Sequence, residues 1–222
     1  MFTIAFVCQK GGAGKTTAAI HTAVEGSRRG LKTLVIDIDP QASAAKVMDR
    51  RGEIPPDVAT EAAGRLERAI AVAAGQGYDL VVVDSAPQAD RAAAQAAKVA
   101  DLVVIPLQPS ILDLDAVDST IDVCKLVDTP MLFLLNRVPA QGREIAGTEV
   151  AIQRRGLAVA SVRWGERKAF RYPFMKGLTA QEVEPDSRAA AEVAAFFDAL
   201  PIPACTQADM STGAPAAMSA GV

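Results

Sequence analysis

The chain has 222 residues, half of them apolar, and a formal charge of −3. That length can bury one substantial core, so a single domain over residues 1–200 is expected, and the near-balanced charge excludes a general polyanion-binding coat, which leaves any basic surface to be local. No apolar run approaches the ~20 residues that cross a bilayer, Met1 to Val7 lacks the basic flank and cleavage site of a leader, and Cys8, Cys124 and Cys205 lie too far apart for a metal motif, so a cytoplasmic protein with reduced thiols and no membrane partner is expected.

In chain order, Thr3 to Cys8 reads as a strand, followed by a glycine-rich turn and a helix from Lys15 to Arg29 that Gly30 stops. A second strand follows from Thr33 to Ile38. The stretch from Gly52 to Thr60 reads as a loop that Pro55 and Pro56 keep out of regular structure. Then come a helix from Glu61 to Ala74, a strand from Leu80 to Asp84, a helix from Asp90 to Ala100 and a strand from Leu102 to Pro106. A helix from Asp113 to Val127, a strand from Met131 to Asn136 and a helix from Ile145 to Arg154 continue the alternation. A short strand from Ala158 to Val162 and a helix from Ser187 to Leu200 complete it. Residues 201–222, rich in Ala, Pro, Ser and Thr, read as a disordered tail. Strands apolar on both faces belong inside a sheet, and their alternation with helices predicts a three-layer α/β/α fold with a mostly parallel central sheet.

The turn after the first strand is Gln9-Lys10-Gly11-Gly12-Ala13-Gly14-Lys15-Thr16-Thr17. Between a strand and a helix this is a phosphate-binding loop of the P-loop NTPase kind. Glycines let backbone N–H groups converge on phosphate oxygens, the helix N-terminus favours negative charge, Lys15 can reach the β and γ phosphates, and the Thr16 hydroxyl can ligate Mg²⁺. Gly11, Gly12, Ala13, Gly14, Lys15, Thr16 and Thr17 are thus the candidate cradle, although Gln9 stands where the strict pattern has glycine. Two acidic strand ends return to the same edge, Asp37-Ile38-Asp39-Pro40-Gln41 and Val81-Val82-Val83-Asp84-Ser85-Ala86-Pro87. Asp84, ending a valine run, is the candidate for holding Mg²⁺ through water; Asp37 and Asp39 can orient an attacking water and contact the metal shell. The plainer reading of either is a cap on the next helix.

These segments carry a resemblance. KGGAGKTT with Lys10 opening the loop resembles the deviant Walker A box of the ParA/MinD ATPases, DIDPQ resembles switch I of the ParA branch, and VVVDSAP its switch II. Gln9 before the lysine is more like ParA than MinD. Further similarity runs through Ile105 to Ser110, through Leu135-Asn136-Arg137-Val138, through Arg167 to Phe170, and to Ala191-Glu192. With no helix-turn-helix before the first strand, the chain looks like the small plasmid-type, ParF-like members. Gln88 stands where relatives often carry a second proline. The resemblance implies MgATP hydrolysis, an ATP-dependent homodimer in which Lys10 reaches the partner's phosphates, and adenine contacts near Asn136 and Arg137. It also implies nonspecific DNA binding and a centromere-bound, ParB-like partner that stimulates hydrolysis.

Residues 154–176 hold seven basic side chains against one acid, Glu166, with Trp164, Phe170 and Tyr172 among them. Arg163, Arg167, Lys168 and Arg171 are the candidate DNA contacts; the alternative is a solvated face with the aromatics turned inward. His21 reads as structural. A MinD-like positioning role remains open but wants a basic amphipathic C-terminal helix, which the tail does not supply. A nucleotide-gated scaffold for other cargo, with negligible turnover, is the third reading.

Overall fold

Short apolar runs joined by small-residue helices bury both faces most simply as a helix-covered parallel sheet. The computed structural model, which describes residues 1–87, 90–110, 113–114, 116–142 and 144–203, has that arrangement. Its strands are β1 (Phe2–Phe6), β2 (Thr33–Asp37), β3 (Asp57–Thr60), β4 (Leu80–Asp84), β5 (Leu102–Leu107), β6 (Met131–Leu135) and β7 (Ala158–Val159). They form one seven-stranded sheet in the order β3-β2-β4-β1-β5-β6-β7. Every pairing is parallel, so the sheet is more uniform than expected.

The described helices are α1 (Lys15–Arg28), α2 (Ser43–Asp49), α3 (Leu66–Gly75), α4 (Asp90–Val99), α5 (Asp118–Leu126), α6 (Glu144–Arg154), the single turn α7 (Ala180–Val183) and α8 (Arg188–Asp198). The two-residue alternation of each strand sorts its side chains onto two cores. Ile4 and Phe6 of β1 with Val35, Leu80 and Val82 pack under the alanines of α1 and under α2 and α8. Ala5, Ile36, Val81, Val83, Val103 and Ile105 point the other way, against α4, α5 and α6. Each Val, Leu, Ile or Phe among them stabilises the fold by about 1.5–3 kcal/mol on burial, so the two cores fix which strand ends meet.

Four expectations are corrected. The segment expected to be a loop up to Thr60 ends in β3, because after the two prolines Asp57–Thr60 pairs with β2 at the sheet edge, where only one side needs ladder hydrogen bonds. The helix expected from Glu61 begins with a 3₁₀ turn, Ala63–Arg65, before α3. The region expected to be one helix from Asp113 is interrupted: Asp113 and Leu114 are helical, Ala116 and Val117 form a turn, and α5 starts at Asp118. The strand expected to reach Val162 is two residues long: Ala158 and Val159 pair with Leu132 and Phe133 of β6, and past them Ala160 adds a single bond to the Phe133 carbonyl. The readings of Gln88, Cys205 and the tail beyond residue 203 lie outside the described residues.

Candidate nucleotide site

The strand order β2-β4-β1 brings the ends of three strands together. In register Asp84 lies beside both Phe6 of β1 and Asp37 of β2, so both acidic strand ends flank the turn that leaves β1. This is the carboxyl edge at which open α/β sheets bind ligands.

The turn has the backbone its glycines allow. Gly12 and Gly14 take φ of 77° and 98°, and a Cβ on Gly14 would collide with the Asn136 amide. Asn136, buried at the end of β6, donates from Nδ2 to the Ala13 carbonyl at 2.9 Å and accepts the Arg137 N–H at 2.9 Å. It buttresses the loop and also lines the crevice beside it, next to Arg137. Arg137, Thr17, Gly165 and Phe170 line the same crevice, which puts Arg137 and Thr17 where a base or ribose could lie. Lys15 is buried, and burial pulls its ammonium below the ordinary lysine value while Cys8, Asp84 and Asp39 oppose the shift. Its Nζ lies 3.5 Å from the Lys10 carbonyl.

Asp84 is wholly buried; the Thr16 hydroxyl lies beside its carboxylate, yet neither oxygen meets a donor in good hydrogen-bond geometry. Burial pushes its carboxyl up to about 7; Asp37 and Asp39 push the same way, while the Thr16 hydroxyl and Lys15 pull it down. A buried, unsatisfied carboxyl beside a threonine hydroxyl is an arrangement that a hydrated divalent cation completes. Among the described residues no three His, Cys, Asp or Glu side chains converge on a metal position. A cation here would take its remaining ligands from phosphate and water, as Mg²⁺ does with nucleotides.

The switch aspartates divide their work. Asp37 accepts the N–H groups of Ala44 and Ala45 at 2.9 and 3.0 Å and of Asp39 at 3.0 Å, so it closes the N-terminus of α2. Asp39 accepts the Gln41 N–H at 2.9 Å through one oxygen and is only half-buried. Of the two, Asp39 can orient water; Asp37 is committed to the backbone.

Lys10 pairs with Asp113 in the segment after β5, a partner missed from sequence because Asp113 reads there only as a helix start. Gln9, the departure from the strict loop, is held by Asp90 of α4 and by Ser119 and Thr120 of α5. His21 sits among Trp164, Phe170 and Phe174 with its Nδ1 2.9 Å from the Thr17 carbonyl. Its Nε2 accepts the Ala180 N–H at 3.3 Å, and burial lowers its pKa to about 4, a neutral structural imidazole.

The basic segment is split. Trp164 and Phe170 are core residues, while Tyr172 is 73% exposed. Arg163 is bound bidentately by Glu149 and Arg167 by Glu192. Lys168, Arg171 and Lys176 are exposed and make no ion pair among the described residues.

Comparison with known proteins agrees with this geometry. A family model of the CobQ/CobB/MinD/ParA nucleotide-binding domain matches residues 4–167. A maintenance of carboxysome distribution protein A from Gloeobacter kilaueensis is 32% identical over 201 residues, covering 85% of this chain and 92% of that protein. The chromosome-partitioning ATPase Soj of Thermus thermophilus is 29% identical over 195 residues, 72% of this chain and 78% of its own. In fold, the septum site-determining protein MinD of Pyrococcus horikoshii, solved with Mg-ADP, superposes with a TM-score of 0.75 at 19% identity over 89% of this chain and 94% of its own.

Proposed function

Because this chain belongs to the MinD/ParA nucleotide-binding family, we propose that it binds MgATP, pairs with a second copy in that state, binds DNA without sequence preference as the pair, and returns to single subunits on hydrolysis. The observation that carries the reading is the orphaned Asp84 carboxyl beside Thr16 and Lys15 at the mouth of a glycine-rich loop. Bound Mg²⁺ would neutralise charge across the β and γ phosphates. Thr16 and Asp84 would hold it, Lys15 would sit against the phosphates, and Asp39 would orient the attacking water. Lys10, held by Asp113 in the single subunit, would exchange that carboxylate for a neighbouring subunit's phosphates, where a cation arriving in trans couples turnover to assembly. Lys168, Arg171 and Lys176 form the DNA surface, in place of the ion-paired Arg163 and Arg167.

DNA partition, with a centromere-bound partner that stimulates hydrolysis, is the primary reading. The carboxysome-distribution relatives favour a second one, in which the same cycle positions a protein body. Light scattering and phosphate release test the common core. Lys10→Ala should still bind ATP as a monomer, yet lose ATP-dependent dimers and turnover together; normal dimers with normal turnover rule out the trans role. Plasmid loss on deletion, against dispersal of a protein body, separates the two cargoes.

A further inference from the structure

We infer that Asp113 is the positioning residue for Lys10: it stores the lysine ammonium inside the separated subunit and thereby sets how much ATP is needed for two subunits to assemble. This rests on the reading of Lys10 as a residue that acts in trans.

The Lys10 side chain is 37% exposed and that of Asp113 only 5%, so the pair is an exposed arm anchored on a buried carboxylate. One oxygen of Asp113 takes the ammonium; the other, Oδ2, is buried without a partner. Lys10 is therefore the one cation paired with Asp113 among the described residues, and taking it away leaves a buried charge uncompensated. The backbone beside the lysine cannot follow it outward. Gln9 is tied through its N–H to the Thr120 hydroxyl at 3.4 Å and through its amide to Asp90 and Ser119, and the Lys15 Nζ approaches the Lys10 carbonyl. Exchange of Lys10 between Asp113 and another subunit's phosphate is thus a side-chain rotation about a fixed loop.

A phosphate carrying several charges outbids one carboxylate only when it is present and close. Asp113 accordingly opposes assembly without ATP and yields to it when a second loaded subunit docks. A ligand shifts such an equilibrium only by its preference for one state, and removing the Asp113 charge removes the competitor.

The test compares ATP titrations of dimerisation, followed by light scattering, for wild type, Asp113→Asn, Asp113→Glu, Lys10→Ala and the double variant Lys10→Ala/Asp113→Asn. Asp113→Asn should lower the half-maximal ATP concentration by about fivefold or more, the lower end of ordinary coupling. Asp113→Glu should restore it to near wild type, and in the Lys10→Ala background Asp113→Asn should change nothing. An unchanged titration for Asp113→Asn, with Lys10→Ala impaired, overturns the storage role alone. A shift of the same size with and without Lys10 also overturns it, since the carboxylate would then act through packing. If Lys10→Ala assembles and turns over normally, the trans reading falls and the storage role with it. Acetylation of the unaltered, nucleotide-free protein supplies a measurement that needs no variant to fold: Lys10 should react several-fold more slowly than the exposed Lys168, and equal rates refute the pairing.

Discussion

Asp84 is a carboxylate kept where the fold alone would not keep one. Its folded value near 7 stands above the ordinary 3.8, so the nucleotide-free fold holds a proton that the unfolded chain has released. Stability without nucleotide should therefore fall as pH rises from about 4 to about 7 and stay low above it. Asp84→Asn removes that loss. Its melting temperature at pH 8 should exceed that of wild type, by a margin corresponding to about 1–3 kcal/mol, while Mg²⁺-dependent tightening of ATP binding disappears. A less stable variant at pH 8, or intact Mg²⁺ dependence, would contradict the cation role. The neighbouring aspartates show what a sequence can and cannot reveal. That both return to the loop's edge was legible, because they close the same apolar strand run. Their division of labour was not, since it depends on the turn from Asp39 to Ala42 bringing the N–H groups of Ala44 and Ala45 back onto Asp37. Asp39→Ala should consequently bind ATP and turn over poorly, whereas Asp37→Ala should lose about 1–2 kcal/mol of stability as an unclosed helix end. Calorimetry and thermal melts on the two variants distinguish them; equal melting temperatures would put Asp37 back in the chemistry.

Helix α2 is the element that carries the site's geometry outward. Asp37 closes its N-terminus, and just past its C-terminus Arg51 is buried against the Gly177 carbonyl at 3.1 Å and Glu182 at 2.6 Å. Burial works to raise the Glu182 carboxyl, but the hydrogen bonds from Arg51 and Thr179 outweigh it and hold it below its ordinary value. Glu182 also closes the capping box on Thr179, so one carboxylate ties α2, the 3₁₀ turn Tyr172–Lys176 and α7 together. Gly177 turns at φ 68°, and a Cβ there would press into the backbone of Arg50 and Arg51. Gly177→Ala should cost about 2–3 kcal/mol, a fall of several degrees in melting temperature, and more than the same change at Gly30, which takes φ 85° with nothing near its Cβ. Equal losses at the two positions would show that backbone strain alone sets the cost. None of this junction was legible in the sequence. Ser43–Asp49 is only seven residues long, too short for a clear helical period, and nothing in the sequence around Arg51 points to its distant partner Glu182. The longer elements were legible because their apolar runs are buried on both faces, as with β4 and β5.

At the scale of the molecule, the charge balance of −3 means that the proposed DNA contacts need a local surface, and the fold decides which cations are available for it. Sequence grouped Arg163, Arg167, Lys168 and Arg171 because they are neighbours along the chain. Folding places Glu149 of α6 and Glu192 of α8 against the first two, and a guanidinium held bidentately by a carboxylate adds little net field and must break that pairing to meet a phosphate. Lys168, Arg171 and Lys176 carry no such partner among the described residues, and they flank Tyr172 and Met175, which are 73% and 72% exposed. Phosphate contacts release counterions, so each one lost should reduce the slope of log affinity against log salt by about 0.9. Replacing Lys168, Arg171 and Lys176 with Gln should therefore flatten the slope by about 2–3, weaken binding equally on unrelated duplexes, and leave ATP-dependent dimerisation in place. Arg163→Gln with Arg167→Gln should lower affinity modestly at low salt, through two exposed carboxylates, with a slope close to that of wild type. Titrations of each variant from low to moderate salt, on dimers confirmed by light scattering, read both quantities at once. A flattened slope for the Arg163/Arg167 pair and an unchanged one for the lysine-arginine triple would return the interface to the residues that the sequence first suggested.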